Sequence, residues 1–334
     1  MALLEQQDFP AVSDLLRKMI SFDTVNAGIS GKTTPEALLV DCLEELAGSS
    51  GFETRRLAVP GQSDELLVQF QRDPSLPWVL FDSHLDTVSV EGMVIEPFAG
   101  QARDGRIWGR GACDTKGTGA AMFKALSEYS SQSDGNNNVA LLFSTDEEWG
   151  MTGIRAFAGT HIPELGFPLK GAIIGEPTSL EPVIAHNGAV RYVVRTRGVA
   201  VHSSNPSLGK SAISSMARLI VSLENGYVPG INRTDTLTGK AQSSINVIKG
   251  GTAANIIPEA CEVFIDRRVV PGETTADVVR GFEKAIADFQ SENPDDELSW
   301  DVTVDTPALD SATGGTFSAS VLNTMSSLGL KCEG

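Results

Sequence analysis

Trp78-Val79-Leu80-Phe81-Asp82-Ser83-His84-Leu85-Asp86 opens as an apolar run and ends in an imidazole and a carboxylate. Two later stretches repeat that arrangement. Val139-Ala140-Leu141-Leu142-Phe143 leads into Ser144-Thr145-Asp146-Glu147-Glu148, and Gly171-Ala172-Ile173-Ile174-Gly175 leads into Glu176-Pro177-Thr178. Short apolar runs without alternation read as strands buried on both faces. Thr118 to Tyr129 lies between the first two and reads as a helix, with Ala120, Ala121, Phe123 and Leu126 as its buried side. Two helical patterns come earlier, Val12 to Ile20 and Pro35 to Ala47, the second stopped by Gly48 and Gly51. Strands separated by helices predict an α/β unit, a mostly parallel sheet with helices on both faces.

From about Gly188 the texture changes. An alternating strand over Ala189–Thr196 precedes a helix over Ser211–Leu223 and strands over Ser244–Ile248 and Cys261–Asp266. A helix over Thr275–Phe289 and a strand over Leu298–Val304 follow. The order β-α-β-β-α-β is that of a ferredoxin-like α+β unit. Residues 188–304 are therefore expected to form a small inserted domain, and residues 1–187 with 305–334 the larger one. Such a unit leaves an edge strand and a helix open, which suits self-association as a homodimer.

The chain has 334 residues, more than one small core accommodates. A net charge of −17 disfavours nucleic acid, whose phosphates would be repelled. No apolar window approaches a membrane span, so no membrane partner is expected. The opening Met1–Pro10, with Glu5 and Asp8, lacks the basic cluster and apolar run of a secretory signal. Cys42, Cys113, Cys261 and Cys332 are widely spaced, which fits a reducing cytoplasm. Cys42 reads as a small core residue, and Cys113 has no base beside it to make it a nucleophile.

In open α/β sheets ligands bind beyond the carboxyl ends of the strands. His84, Glu147, Glu148 and Glu176 should therefore converge although they are far apart in sequence. Asp114 joins from Gly109-Arg110-Gly111-Ala112-Cys113-Asp114-Thr115-Lys116-Gly117, where glycines permit a tight backbone ahead of a helix. One imidazole among carboxylates suits zinc, with cobalt or manganese as substitutes. Without a cation, clustered carboxylates raise one another's pKa. Asp86 projects to the same side as His84 and is placed to hold its second ring nitrogen. Each feature alone has an ordinary reading: a surface loop, a solvated helix start, a turn cap. Their common position at strand ends sets them apart.

His84-Leu85-Asp86-Thr87-Val88, Gly109-Arg110-Gly111 with Asp114 and Lys116-Gly117, and Asp146-Glu147-Glu148 resemble three metal-site motifs of a two-zinc amidohydrolase family. That family includes acetylornithine deacetylase, succinyl-diaminopimelate desuccinylase, aminoacylase and carboxypeptidase G. Ile174-Gly175-Glu176-Pro177-Thr178-Ser179 resembles a fourth motif and is especially like acetylornithine deacetylases, while Gly198 through His202-Ser203-Ser204 resembles the Gly-x-x-x-His-Ser-Ser motif of the small domain. The resemblance runs from about residue 10 to about residue 320, with the motifs in family order. It implies a zinc-exopeptidase-like fold with an inserted dimerisation domain. It implies that His84, Asp114 and Glu176 hold one zinc, and that Asp114 bridges to a second held by Glu148. Glu147 would be the general base, and His202 would come from a partner subunit to stabilise the oxyanion. Asn255-Ile256-Ile257-Pro258 and Asp266-Arg267-Arg268 resemble segments that bind the substrate carboxylate. Arg268 has the matching spacing, and a guanidinium offers a carboxylate a bidentate fork.

The resemblance also implies a further histidine near the C-terminus, in a Gly-Pro-Gly…Ala-His type segment. The histidines here are His84, His161, His186 and His202, none in that position. The expectation is a truncated chain with weak second-metal binding and low activity. The function expected is hydrolysis of a linear amide, releasing an acyl group from an N-acylated amino acid such as N-acetylornithine or N-succinyl-diaminopimelate. Alternatives are a carboxypeptidase or dipeptidase with the same metals, and a non-catalytic homologue that only binds ligand.

Overall fold

The computed structural model describes residues 11–330; the readings placed on Met1–Pro10 and Cys332 lie outside these. The chain forms two compact units that meet in sequence at Leu180 and Glu181.

The first unit begins with α1 (Val12–Ile20) and α2 (Ala37–Ser49), followed by β1 (Glu53–Leu57), β2 (Glu65–Phe70) and β3 (Trp78–His84). Then come α3 (Lys116–Ser131), β4 (Asn138–Ser144), a helical stretch from Thr152 to Leu165 with a π-turn at Phe157–His161, and β5 (Leu169–Ile174). The sheet order is β1-β2-β4-β3-β5. β3 pairs in parallel with β4 and with β5, as the three apolar runs predict. The hairpin of β1 and β2 joins antiparallel, so β2 alone runs against the other strands. β1 reads Glu53-Thr54-Arg55-Arg56-Leu57 and is largely exposed, so it carries no apolar signature that would mark it in the sequence.

Every residue of β4 is buried, because both faces are covered. Val139, Leu141 and Phe143 point to the core made with α1, α2 and α3, through Leu15, Met19, Leu39, Leu43 and Phe123. Ala140 and Leu142 point the other way, to Phe157, Ile154 and Leu165 of the helical stretch after β4. Two covered faces explain the unalternated apolar pattern.

The second unit carries β6 (Gly188–Arg197), α4 (Ala212–Ser222), β7 (Gln242–Gly250), β8 (Ala260–Val269), α5 (Thr275–Glu292), β9 (Glu297–Thr306) and α6 (Ser311–Ser327). Its antiparallel sheet has the order β7-β8-β6-β9, the ferredoxin-like arrangement expected. One face packs on α4 and α5, with Tyr192 stacked on Phe282 at 3.9 Å between ring centroids.

Glu65, the first residue of β2, is fully buried, and no other side chain among the described residues hydrogen-bonds its oxygens. Burial, and next the Asp82 carboxylate, push its pKa up to about 8 from 4.5, against the pull of the Thr145 backbone. Between those values the folded chain keeps a proton that the unfolded chain releases, so stability falls as pH rises through that window. Glu65→Gln, which cannot ionise, is expected to match the wild type near pH 5 and to exceed it by roughly 3–5 kcal/mol near pH 9. Urea unfolding at both pH values measures this; a difference that is flat with pH would contradict it.

Candidate metal centre

Parallel pairing brings the metal-type residues together. His84, the last residue of β3, sits opposite Ser144, the last of β4. The turn Thr145-Asp146-Glu147-Glu148 leaves β4 at that same level. On the other side Asp82 pairs with Ile174, and the Gly175 amide donates to the Asp82 carbonyl, so Glu176 emerges just beyond β5. Asp114 arrives from the loop ahead of α3. Gly111 in that loop has φ 77°, and a Cβ there would stand 3.0 Å from both Lys116 and Thr87. Conformation and space alike therefore require glycine. Lys116 is buried, and its Nζ donates to the Phe22 carbonyl at 2.9 Å.

The imidazole of His84 is the hub. Its Nε2 lies 3.1 Å from an Asp114 oxygen, 3.9 Å from Glu176 and 4.0 Å from Glu147. Among the described residues two donor groups, His84 with Asp114 and Glu176, and His84 with Glu147 and Glu148, each have ligand atoms within 4.8 Å of one another. His84 itself is buried, while the Asp114, Glu147 and Glu176 side chains remain 38–50% exposed, leaving the cluster open on one side.

Behind His84, Nδ1 lies 3.0 Å from the Asp86 carbonyl and 3.4 Å from its carboxylate. The expected support from Asp86 is thus shared between main chain and side chain. The carboxylate also accepts from the backbone amides of Glu147 and Glu148, each at 3.0 Å. Burial alone would raise the pKa of Asp86, but bonds from His84, Asn26 and the Glu148 amide hold it below its ordinary value.

The electrostatics call for positive charge. Burial pushes Glu176 up to about 7, and the Glu147 and Asp114 carboxylates add to it while His84 opposes. Burial likewise raises Glu147, helped by Asp86, and Glu148, helped by Asp114. Burial disfavours a charged His84, yet the surrounding carboxylates outweigh it and lift its pKa to about 10. One imidazole among this many carboxylates is matched by a divalent cation, and a nitrogen-and-oxygen donor set suits zinc-type ions.

The remaining site residues lie in the second unit. There the structure brings His202 beside the Asn255 segment: His202 forms an antiparallel bridge to Ile256, and the Ser203 amide donates to the Asn255 carbonyl. His202 Nδ1 is 2.8 Å from Ser204 Oγ. The two arginines of β8 separate by face. Arg267 turns to the helices, buried and paired with Glu273 at 2.7 Å. Arg268 stands on the open face, its Nε 2.8 Å from Asp266. Of the other histidines, His161 bonds to the Ala58 carbonyl and His186 pairs with Leu309. Cys113 is exposed and Cys42 half-buried. Among the described residues no helix is long and apolar enough to cross a membrane.

Comparison with known proteins finds relatives among hydrolases. Acetylornithine deacetylase of Proteus mirabilis is 30% identical over 274 residues, covering 80% of this chain and 70% of its own length. The probable carboxypeptidase of Ajellomyces dermatitidis is 28% identical over 316 residues, covering 86% and 71%. The crystal structure of aminopeptidase PepT from Bacillus cereus superposes with a TM-score of 0.72 at 20% identity, over 96% of this chain and 83% of that one. Fold and relatives together define a metal-dependent hydrolase of amide bonds. The chain belongs to Peptidase family M20/M25/M40, whose profile matches residues 80–305.

Proposed function

We propose that the protein removes the acyl group from an N-acylated amino acid of the N-acetylornithine or N-succinyl-diaminopimelate type. The observation that carries the reading is the convergence of His84, Asp114, Glu147, Glu148 and Glu176 beyond the carboxyl ends of β3, β4 and β5. Support for the substrate class comes from the acetylornithine deacetylases of Proteus mirabilis and Photorhabdus laumondii, the latter 32% identical over 276 residues.

His84, Asp114 and Glu176 would hold one zinc ion, and Asp114 with Glu148 a second; cobalt or manganese would fit the same donors. Bound zinc supplies Lewis acidity that polarises the scissile carbonyl and makes water more acidic. Glu147 takes the proton of the attacking water and delivers it to the departing amine, a task suited to a carboxylate whose pKa burial has raised. His202, from the partner subunit, donates to the oxyanion, and Arg268 with Asn255 receives the substrate carboxylate.

This reading takes residues 188–304 as the dimerisation domain and residues 1–187 with 305–334 as the metal domain, although the last strand continues to Thr306 and α6 belongs to the second compact unit. The homodimer is supported by the open edge of β7, where Val247 and Ile248 are exposed, beside Ile213 on α4. A cytoplasmic location accords with the free thiols of Cys42, Cys113 and Cys261. The test is release of free amine from a panel in the presence of zinc. N-acetylornithine and N-succinyl-diaminopimelate are expected to exceed unmodified dipeptides in kcat/KM by at least tenfold. The reverse order would select the peptidase reading, which the probable carboxypeptidase relative favours.

A further inference from the structure

Asn26 belongs to none of the motifs, yet it is fully buried and bonded to the core of the centre. Its segment runs beside the turn after β3. The Asn26 amide donates to the Thr87 carbonyl at 2.9 Å, the Thr87 amide to Thr24 at 3.0 Å, and Thr24 Oγ1 to the Leu85 carbonyl at 2.7 Å. From that rail the side-chain amide reaches two carboxylates at once, donating from Nδ2 to Asp86 at 2.7 Å and to Asp146 at 3.0 Å. Its Oδ1 accepts from the Gly28 amide at 2.8 Å, which fixes which end of the amide points at the acids.

Both carboxylates act on the turn that carries Glu147 and Glu148. Asp86 receives their two amides, and Asp146 adopts φ 61° and is tied by its other oxygen to Thr152. We infer that Asn26 is a positioning residue, whose amide clamps Asp86 and Asp146 and so sets the His84 ring and the Glu147–Glu148 turn for metal binding. Two buried carboxylates facing one amide repel each other once the amide is gone, and each then seeks another partner. Neither Asp nor Leu could replace it, the first adding a third negative charge and the second offering no donor.

The inference rests on the metal-dependent hydrolase reading, and the experiment separates the two. Zinc affinity of the metal-stripped protein is measured by chelator competition for wild type, Asn26→Ala, Asp86→Ala and the double variant, alongside kcat and KM on whichever acylated amino acid the wild type turns over. Asn26→Ala is expected to weaken zinc about 10–100-fold, as loss of an outer hydrogen-bond partner does, and to lower kcat while KM changes less than about threefold. The double variant is expected to lose less than the two single losses combined, because Asn26 acts in part through Asp86 and in part through Asp146. A lowered melting temperature with zinc affinity within about twofold of wild type would make Asn26 merely structural and overturn the inference. If Asn26→Ala does not fold, the wild type carries the test by NMR. The Asn26 side-chain amide protons should shift when zinc is added, and their indifference to zinc would overturn the inference. A wild type that binds zinc tightly but hydrolyses no acylated amino acid or dipeptide defeats the proposed reaction alone.

Discussion

Glu147→Gln is expected to retain its zinc and lose about 10²–10⁴ of kcat. Glutamine matches glutamate in size and leaves the Glu147 backbone amide free to donate to Asp86, so the turn keeps its shape. What it removes is a basic oxygen. In the wild type that oxygen stands 4.0 Å from His84 Nε2, on a side chain still 40% exposed, and burial raises its pKa. A raised carboxylate pKa favours taking the proton from water and giving it up again to an amine. The geometry leaves one competing assignment, because Glu147 also falls within a donor group with His84 and Glu148. Zinc stoichiometry decides between them. A fall in kcat with unchanged zinc and little change in KM marks a base, whereas parallel loss of zinc and turnover marks a ligand.

The parts of the structure that were legible in the sequence are those written in local pattern. Buried parallel strands have no polar alternation, so β3 and β4 stood out, and with them the level at which His84 and Glu147 emerge. β5 has the same apolar run but is a largely exposed edge strand, so its expected burial on both faces fails while the level at which Glu176 emerges holds. The ferredoxin-like part of the second unit was equally plain, since the strand pattern of β8 and the helical period of α5 are each complete within one element, whereas α6 was not legible. β1 was not legible: its Glu, Thr and Arg side chains face water, and its strand form depends on pairing with β2. Asn26 was not legible either. Its bond to the Gly28 amide is the local cap that an Asn-x-Gly sequence announces. Its bonds to Asp86 and Asp146 span 60 and 120 residues and exist only once the chain has folded. The same limit applied to Arg267 and Arg268, adjacent residues of one type whose roles divide because a strand sends neighbours to opposite faces.

His84→Ala is expected to cost more than any other single change, since both donor groups include that imidazole. Four-ligand zinc sites bind with about 10–16 kcal/mol, so one ligand is worth roughly 3 kcal/mol, or about a hundredfold in affinity. In the proposed arrangement the loss falls on the ion held with Asp114 and Glu176, and turnover should drop to the background of the assay because both ions act on one substrate. A second cost lies in the protein itself. The buried Asp86 carboxylate faces His84 Nδ1 at 3.4 Å, and removing the partner of a buried charge typically costs about 3–5 kcal/mol. Asp86 keeps the donors of Asn26, Glu147 and Glu148, which places the expected loss at the lower end of that range. Zinc titration and urea unfolding of the metal-free variant read the two costs separately. Near-wild-type zinc binding by His84→Ala would mean that the ions sit among the carboxylates alone, and the centre would have to be redrawn around Asp114, Glu148 and Glu176.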